Sequence, residues 1–398
     1  MATTTTAHRH RAVPPPRGFA RAELEARTAR AQRAMAAERL DALLLTTEPE
    51  VRWFSGFHTR FWESPTRPWF MVVPADGAPI AVIPEIGAAG MSKTWIDDVR
   101  TWPSPVPEDD GVSLLVDTLR GLPRRHGRVG LAMGPGSHVR MPLADLDRIR
   151  ASAPMMLTDA QPLLDRLRAI KSEAEIDKIR HACRLAAESF DAVPALLAPG
   201  VTERAVARAF VTDLVGRGAD AVPYLALASG PGGYGDIIMG PSDRGLAAGD
   251  VMIIDTGATF DGYFCDFDRN WAVGRADEAA RAAYRACWMA TEAGLAAARP
   301  GATAGDLHAA MWRVLQSHGA RGEGDVGRMG HGLGMQLTEG HSNRPGDSTV
   351  LRPGMVLTLE PGMSFAPGRL MVHEEDLVVR DGGPELLTPR ASPELPVV

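Results

Sequence analysis

Four acids and one histidine in the C-terminal half of this 398-residue chain occupy places where acids are least expected. Asp255 ends the apolar run "VMIID", Glu360 ends "MVLTLE", Glu375 lies within "HEEDLVV", and Asp266 follows "YFC" eleven positions after Asp255. Strand side chains alternate faces, so Asp255 shares a face with Ile253 and Gly257, and a turn at Asp261-Gly262 would bring Asp266 opposite Asp255. Burying four carboxylates alone is untenable, because each ionised group forfeits several kcal/mol of hydration. Lysine is scarce in this half and Arg269 brings a single positive charge. A pair of divalent cations would neutralise four acids and take a neutral histidine as a further ligand. His331, flanked by glycines in "GHGLG" with little lateral packing, suits that place. Taken singly, each residue has an ordinary reading: Asp255 or Asp266 as a turn cap or ion-pair partner, Glu375 as a solvated strand acid, His331 as a loop histidine bonded to backbone. Their chemistry is carried by the combination.

The elements that must position them read as two domains behind a tail. Residues 1–18, "MATTTTAHRHRAVPPPRG", cannot bury enough surface to order themselves and have no apolar segment of a secretory leader. Residues 19–163 alternate helix and strand: a helix over Arg21 to Leu40, a buried strand at "DALLLTT", and a hairpin of "PWFMVVP" and "PIAVIPE" about "ADGA". Helices near Ser113 to Leu122 and Leu143 to Ile149 then flank a strand at "RVGLAM", giving an α/β domain. Residues 164–398 open on a long helix marked by the capping pair Ser172 and Glu175, with Ile176, Ile179, Ala182, Ala186 and Phe190 at helical spacing. A helix after Thr202, a loop "ASGPGGYGDIIMGPSDR", the hairpin carrying Asp255 and Asp266, helices at Asp277 to Ala298 and Ala304 to His318, and two closing strands complete a mixed α+β domain with a curved antiparallel sheet.

The formal charge of -6, with both signs interspersed, gives no basis for nucleic acid or an anionic membrane surface as partner, and no stretch is long and apolar enough to span a bilayer. Cys183, Cys265 and Cys287 are odd in number and lack paired spacing, which argues against a disulfide framework or cysteine-rich zinc site and fits a reducing cytoplasm. "SGPGGYG" lacks the Lys-Ser/Thr of a phosphate-binding loop and leads into no helix, so it reads as a plain or substrate-facing turn.

"DTGATFDGYFCD", "GHGLG", "LTLEPG" and the Glu of "HEED" follow the order and approximate spacing of the Asp, Asp, His, Glu, Glu ligands of the pita-bread metallopeptidase family. That family includes methionine aminopeptidase, Xaa-Pro aminopeptidase, prolidase and creatinase. The chain resembles it over about residues 165 to 390, and "DALLLTTEPEVRWFSGF" resembles the creatinase/prolidase N-terminal domain. The resemblance implies an α/β N-terminal domain of that type and an α+β pita-bread catalytic domain. It also implies two divalent metal ions, manganese foremost, with cobalt, zinc or iron as alternatives. Asp255 would bind one metal, Asp266 and Glu375 would bridge both, His331 would bind the other and Glu360 would complete the set. The implied activity is Xaa-Pro dipeptidase-like: a metal-bridging hydroxide attacks an amide of a small peptide, Glu360 moves the proton, and the enzyme is a homodimer.

The likeness has departures. The peptidases usually have two further histidines that contact the scissile amide; here Ile238 or Met239 holds the first position and Thr338 the second. Positioned donors or acid-base groups contribute about 10² to 10⁴ in rate each, so their loss implies weakened peptide cleavage or another substrate. His341 is the candidate replacement, with a surface loop residue as its plain reading, and His373, two before Glu375, stands where the family often has arginine. Within the aromatic and arginine-rich "FHTRFWESPTRPWF", Arg60, Trp62 or Arg67 would grip a substrate's carboxylate or cation, in the neighbouring subunit by analogy with family dimers, or else form a domain-interface cluster. Two other functions stay open. One is a hydrolase or lyase of a small nitrogen or sulfur compound; dimethylsulfoniopropionate lyases of this fold also keep the metal ligands without the peptidase histidines, although Leu337 and Gly257 stand where they have acids. The other is a non-catalytic binding protein, against which the cost of five buried ligands argues.

Overall fold

The computed structural model describes residues 13–64, 67–320 and 327–398, and in it the apolar runs become strands of separate sheets in two domains. The N-terminal domain runs α1 (Arg21–Glu38), β1 (Ala42–Leu45), α2 (Glu48–Ser55), β2 (Phe70–Pro74), β3 (Ile80–Pro84), α3 (Ala88–Met91), β4 (Asp98–Trp102), α4 (Val112–Arg120), β5 (Arg128–Leu131), α5 (Leu143–Ser152), β6 (Met156–Asp159) and α6 (Gln161–Ala169). Among the described residues its sheet has the order β4-β3-β2-β1-β5-β6. The hairpin β2–β3 and the pair β1–β2 are antiparallel, whereas β4, β5 and β6 add in parallel. Strand β1, "ALLL", is buried throughout because helices cover both faces, as a continuous apolar run requires. Helix α2 was not anticipated. It forms because Glu50 reaches back to accept from Thr47 N at 3.1 Å, with Pro49 in the first turn where a missing N–H costs nothing.

The expected tail is corrected in part. Residues 1–12 lie outside the described residues, but 13–18 are docked: Arg17 pairs with Asp220 at 2.6 Å, Gly18 N donates to Asp261 Oδ2 at 2.7 Å, and Lys178 Nζ donates to Pro16 O at 2.5 Å. Charge pairing supplies the ordering that composition alone could not.

The second domain begins with α7 (Glu173–Phe190), capped as its sequence predicts, with Ser172 N donating to Glu175 Oε2 at 2.8 Å. Then come α8 (Glu203–Arg217), β7 (Ala221–Pro231), β8 (Asp250–Phe260), β9 (Tyr263–Phe264), β10 (Phe267–Ala272), α9 (Glu278–Ala297) and α10 (Ala304–Ser317). The closing strands are β11 (His331–Gly332), β12 (Glu339–Ser342), β13 (Val356–Leu359), β14 (Gly362–Ala366), β15 (Arg369–Val372), β16 (Glu375–Val378) and β17 (Glu385–Leu386). Among the described residues they form antiparallel sheets β10-β8-β7, with β9 on β8, and β12-β11-β13-β16-β17, plus the hairpin β14–β15. Alternation on β8 divides two cores: Met252 and Ile254 join the α7 and α8 side chains, Val251 and Ile253 those of α9 and α10. Strand β7 starts well before the expected loop and holds Tyr224 against β8. Among the described residues no helix is long and apolar enough to cross a membrane.

Candidate metal centre

Strand pairing sets the acids. In the β8–β10 ladder Asp255 faces Asp268, not Asp266; continuing the ladder outward puts Asp266 opposite Gly257, on the same face. In the β13–β16 ladder Leu359 faces Glu375, so the next step outward sets Glu360 opposite Glu374. Asp266, His331 and Glu374 converge, each offering one ligand atom within 4.8 Å of the others. His331 Nε2 lies 3.3 Å from Asp266 Oδ2, while His331 Nδ1 lies 2.9 Å from Gly332 O. A carbonyl only accepts, so the ring proton sits on Nδ1 and the Nε2 lone pair is left facing a carboxylate oxygen.

The expectation for Glu375 is corrected by this register. Adjacent strand residues point to opposite faces, and Glu375 points away from the cluster. Its carboxylate accepts from Arg390 Nη1 at 3.0 Å, Ala391 N at 3.0 Å and Arg269 Nη2 at 3.1 Å, and also from Thr388 Oγ1. Burial would raise its pKa, but Arg269, His373 and the Thr388 and Ala391 hydrogen bonds outweigh it and hold the carboxyl below its usual range. Glu374 takes the place assigned to its neighbour. His373 shares the Glu375 face and is likewise corrected as a substrate contact: it is buried, with Nδ1 3.0 Å from Thr291 Oγ1 and Nε2 3.1 Å from Arg390 Nη1.

The glycines around His331 serve the backbone. A Cβ at Gly330 would stand 2.2 Å from Thr358 O, and one at Gly332 would stand 2.3 Å from Glu339 O. Their absence lets the histidine strand lie against both β12 and β13, which fixes the ring where side-chain packing cannot. Glu339 ties β12 to the preceding domain through Arg168 and through Lys171 Nζ at 3.2 Å. Thr338 accepts from Arg328 Nη2 at 2.9 Å. Arg328 also approaches Ser342 Oγ at 3.4 Å, and its positive field reaches Asp266, His331 and Glu360. Sequence reading missed Arg328, although it is the one charge in "GRMGHGLG" and stands three before the histidine. His341 lines a groove against α6 with Asp165, Ile170 and Asp347; it is not among the three residues whose ligand atoms converge, and its buried Nε2 has no hydrogen-bond partner. Ile238 and Met239 are exposed on a turn whose backbone N–H groups Asp236 Oδ1 accepts at 2.8 and 2.9 Å. Leu337 packs onto Gly257, where a Cβ would stand 2.3 Å from Leu337 Cδ1.

Tyr224 is a further residue that sequence reading missed, because β7 looked partly like loop. Its hydroxyl donates to Asp255 Oδ2 at 3.1 Å, diagonally across the β7–β8 ladder. Orienting partners of this kind hold metal ligands in place, so Tyr224→Phe is expected to weaken metal affinity about 10- to 100-fold with the fold intact, as read by metal titration. Unchanged affinity would remove that role.

The donor set fits divalent metal. Asp255 Oδ1, Glu360 Oε2 and Glu374 Oε1 are buried and have no hydrogen-bond partner. Burial first, then the neighbouring carboxylates, push Asp255, Asp266 and Glu374 well above the usual range. Glu360 is pushed up to about 7, burial outweighing the opposite pull of His331. Burial likewise holds His331 below its ordinary pKa, hence neutral and ready to ligate. Unpaired acid oxygens around a neutral imidazole call for cations, not protons, because a metal satisfies all of them together.

Comparison with known proteins agrees. The model of metallopeptidase family M24 matches residues 177–381, and that of the creatinase/prolidase N-terminal domain matches residues 27–170. A probable dipeptidase PepE of Mycobacterium tuberculosis is 34% identical over 89% of this chain and 91% of its own length. The crystal structure of dipeptidase PepE from Mycobacterium ulcerans superposes with a TM-score of 0.83 at 30% identity, covering 96% of this chain and 99% of that one. A protein of Rhizobium rhizogenes named agropine synthesis cyclase is 29% identical over 90% of this chain and 94% of its own.

Proposed function

Because this chain belongs to metallopeptidase family M24, behind a creatinase/prolidase N-terminal domain, we propose that it is a dinuclear metal-dependent hydrolase cleaving an amide of a small peptide or peptide-like substrate. The observation that carries the reading is the convergence of Asp266, His331 and Glu374, flanked by the unpartnered oxygens of Asp255 and Glu360. Asp255, Asp266, His331, Glu360 and Glu374 would hold two divalent ions, manganese foremost, which supply an activated water at neutral pH and polarise the scissile carbonyl. Glu360 would be the proton carrier, its carboxylate holding metal through one oxygen while the other takes a proton from the attacking water and returns it to the leaving nitrogen. Arg328, held by Thr338, brings positive charge and N–H donors toward the developing oxyanion, where the peptidase pattern has imidazole. Buried walls around Glu374 and His331 exclude bulk water and strengthen these interactions. The three cysteines are free and buried, which supports a reducing cytoplasmic location, and the family resemblance supports a homodimer.

A second reading is a non-peptidase acting on a small nitrogen or sulfur compound. It draws on Thr338 being engaged by Arg328, on exposed Ile238 and Met239 at the other histidine position, and on a relative named for a cyclase. Gently purified protein should carry divalent metal and, supplied with manganese, cobalt, zinc or iron, hydrolyse Xaa-Pro dipeptides. Metal without peptide cleavage would select the second reading, and protein that takes up no metal would sink both. Thr338→His should raise peptidase turnover about 10-fold or more if the missing imidazole is limiting; an unchanged rate would show that it is not.

A further inference from the structure

Strand β10 brings one more carboxylate to the centre than the ligand set uses. Asp268 stands opposite Asp255 in the β8–β10 ladder, and such a pair shares a face with its Cβ atoms about 4.5–5.5 Å apart. Asp266, two residues earlier on the same strand, lies on that face as well. The Glu374 N–H favours the charged form of Asp268 and the Asp255 carboxylate opposes it, which makes Asp268 a neighbour of two groups in the set. At 1% exposure it has no help from bulk water.

The adjacent cation is committed elsewhere. Arg269 Nη1 donates to Asp268 O at 2.6 Å and to Glu374 O at 3.2 Å, and its Nη2 donates to Glu375 Oε2 at 3.1 Å and to Pro389 O at 2.6 Å. None of these bonds reaches the Asp268 carboxylate. Its Oδ1 accepts only a long hydrogen bond, 3.4 Å, from Asn270 Nδ2, an amide already donating to Val372 O at 2.9 Å. Its Oδ2 is buried with no hydrogen-bond partner, and Asp255 Oδ1 across the ladder is in the same condition. Facing carboxylates in a dry site repel unless a proton or a cation lies between them. A shared proton would occupy Asp255 Oδ1, and Asp255 Oδ2 already accepts from Tyr224 at 3.1 Å, so Asp255 would have no oxygen left for an ion. A cation satisfies both acids at once.

We propose that Asp268 is a further ligand of the ion held by Asp255, with Oδ2 as the added oxygen donor. The presence of that ion as one of two rests on the dinuclear reading above; the role of Asp268 does not depend on which bond the enzyme cleaves. An extra carboxylate oxygen shifts the preference of this position towards manganese or magnesium and away from zinc.

The test reads metal loading without turnover. Full-length protein freed of metal is titrated with manganese(II) against a competing chelator, and bound ions are counted by elemental analysis. Asp268→Asn keeps the shape of the side chain and should weaken the ion at this position about 10²-fold, at least the upper end of what loss of an orienting partner costs. Where wild type carries two ions, the variant should carry one. Loaded with cobalt(II), the variant should also show altered visible absorption, because one ion has exchanged a carboxylate for an amide. Its metal-free form should melt no lower than wild type, since an unpaired buried charge has been removed. Equal manganese affinity in the two proteins overturns the proposal and is what a shared proton predicts, because an amide can donate to Asp255 in its place. Weaker loading with an unchanged cobalt spectrum also overturns it, since Asp268 would then only orient its neighbours. Absence of peptide cleavage by protein that loads metal in this pattern counts against the hydrolase reading alone. A wild type holding a single ion counts against the dinuclear reading alone, and Asp268→Asn is then judged on the affinity for that ion.

Discussion

Glu374→Ala should abolish divalent-metal loading and lower turnover by more than about 10²-fold, since loss of a mere orienting partner of a ligand already costs about 10- to 100-fold. Its neighbour should behave in the opposite way. Glu375 is fully buried between Arg269 and Arg390, whose side chains are 14% and 19% exposed. Glu375→Ala leaves the largely buried Arg269 without its carboxylate and Arg390 with Glu292 alone, and should destabilise the fold by about 3 kcal/mol, while the molecules that remain folded still load metal. Elemental analysis of the folded fraction and a melting curve separate the two results. Metal retained by Glu374→Ala and lost by Glu375→Ala would reverse the assignment and restore the bridging role that the family pattern gave to Glu375.

The second large effect concerns Glu339. Burial raises its pKa, but Arg168 and Lys171, together with the Arg168 and Gln336 N hydrogen bonds, outweigh it and bring the carboxyl down to about 2. A depressed acid contributes stability above its unfolded pKa of about 4.3 and loses it as the pH falls through the folded value. Glu339→Gln is therefore expected to cost about 3–5 kcal/mol at neutral pH, because Arg168 and Lys171 are left buried without their anion. Between pH about 4 and about 2 the gap between wild type and variant should close, read by denaturant titration at each pH. A gap that stays constant through that window would show that the ion pair is not its source. The same substitution should loosen His331, since β12 carries Glu339 opposite Gly332 and Ser342 opposite His331.

Much of this protein is legible before folding. Ser172 and Glu175 mark the start of α7 because capping is local, and "ALLL" declares a strand buried on both faces. Acids closing apolar runs at Asp255, Asp266 and Glu360, with His331 among glycines, announce a buried cationic centre, because the hydration cost follows from residue type alone. The reading failed where a residue's neighbours are remote in sequence. Arg328 and Tyr224 look unremarkable until strand pairing sets them beside the acids, and the 13–18 segment needs Asp220, Asp261 and Lys178 to hold it.

Choosing between Glu374 and Glu375 shows the division most clearly. "HEED" announces an acidic strand end, and alternation guarantees that one glutamate faces the cluster while the other faces away. Which one does so is set by the pairing of β16 with β13, where Leu359 faces Glu375 and the register carries Glu374 round to Glu360. The same holds on β8, where the ladder puts Asp268 opposite Asp255 and leaves Asp266 two residues further out, beside His331. Residue types along the chain determined that a buried acidic cluster needs compensation and on which strands it lies. Tertiary pairing decided which carboxylates face that cluster, because a strand's own sequence carries its two-residue period but the partner strand supplies the phase.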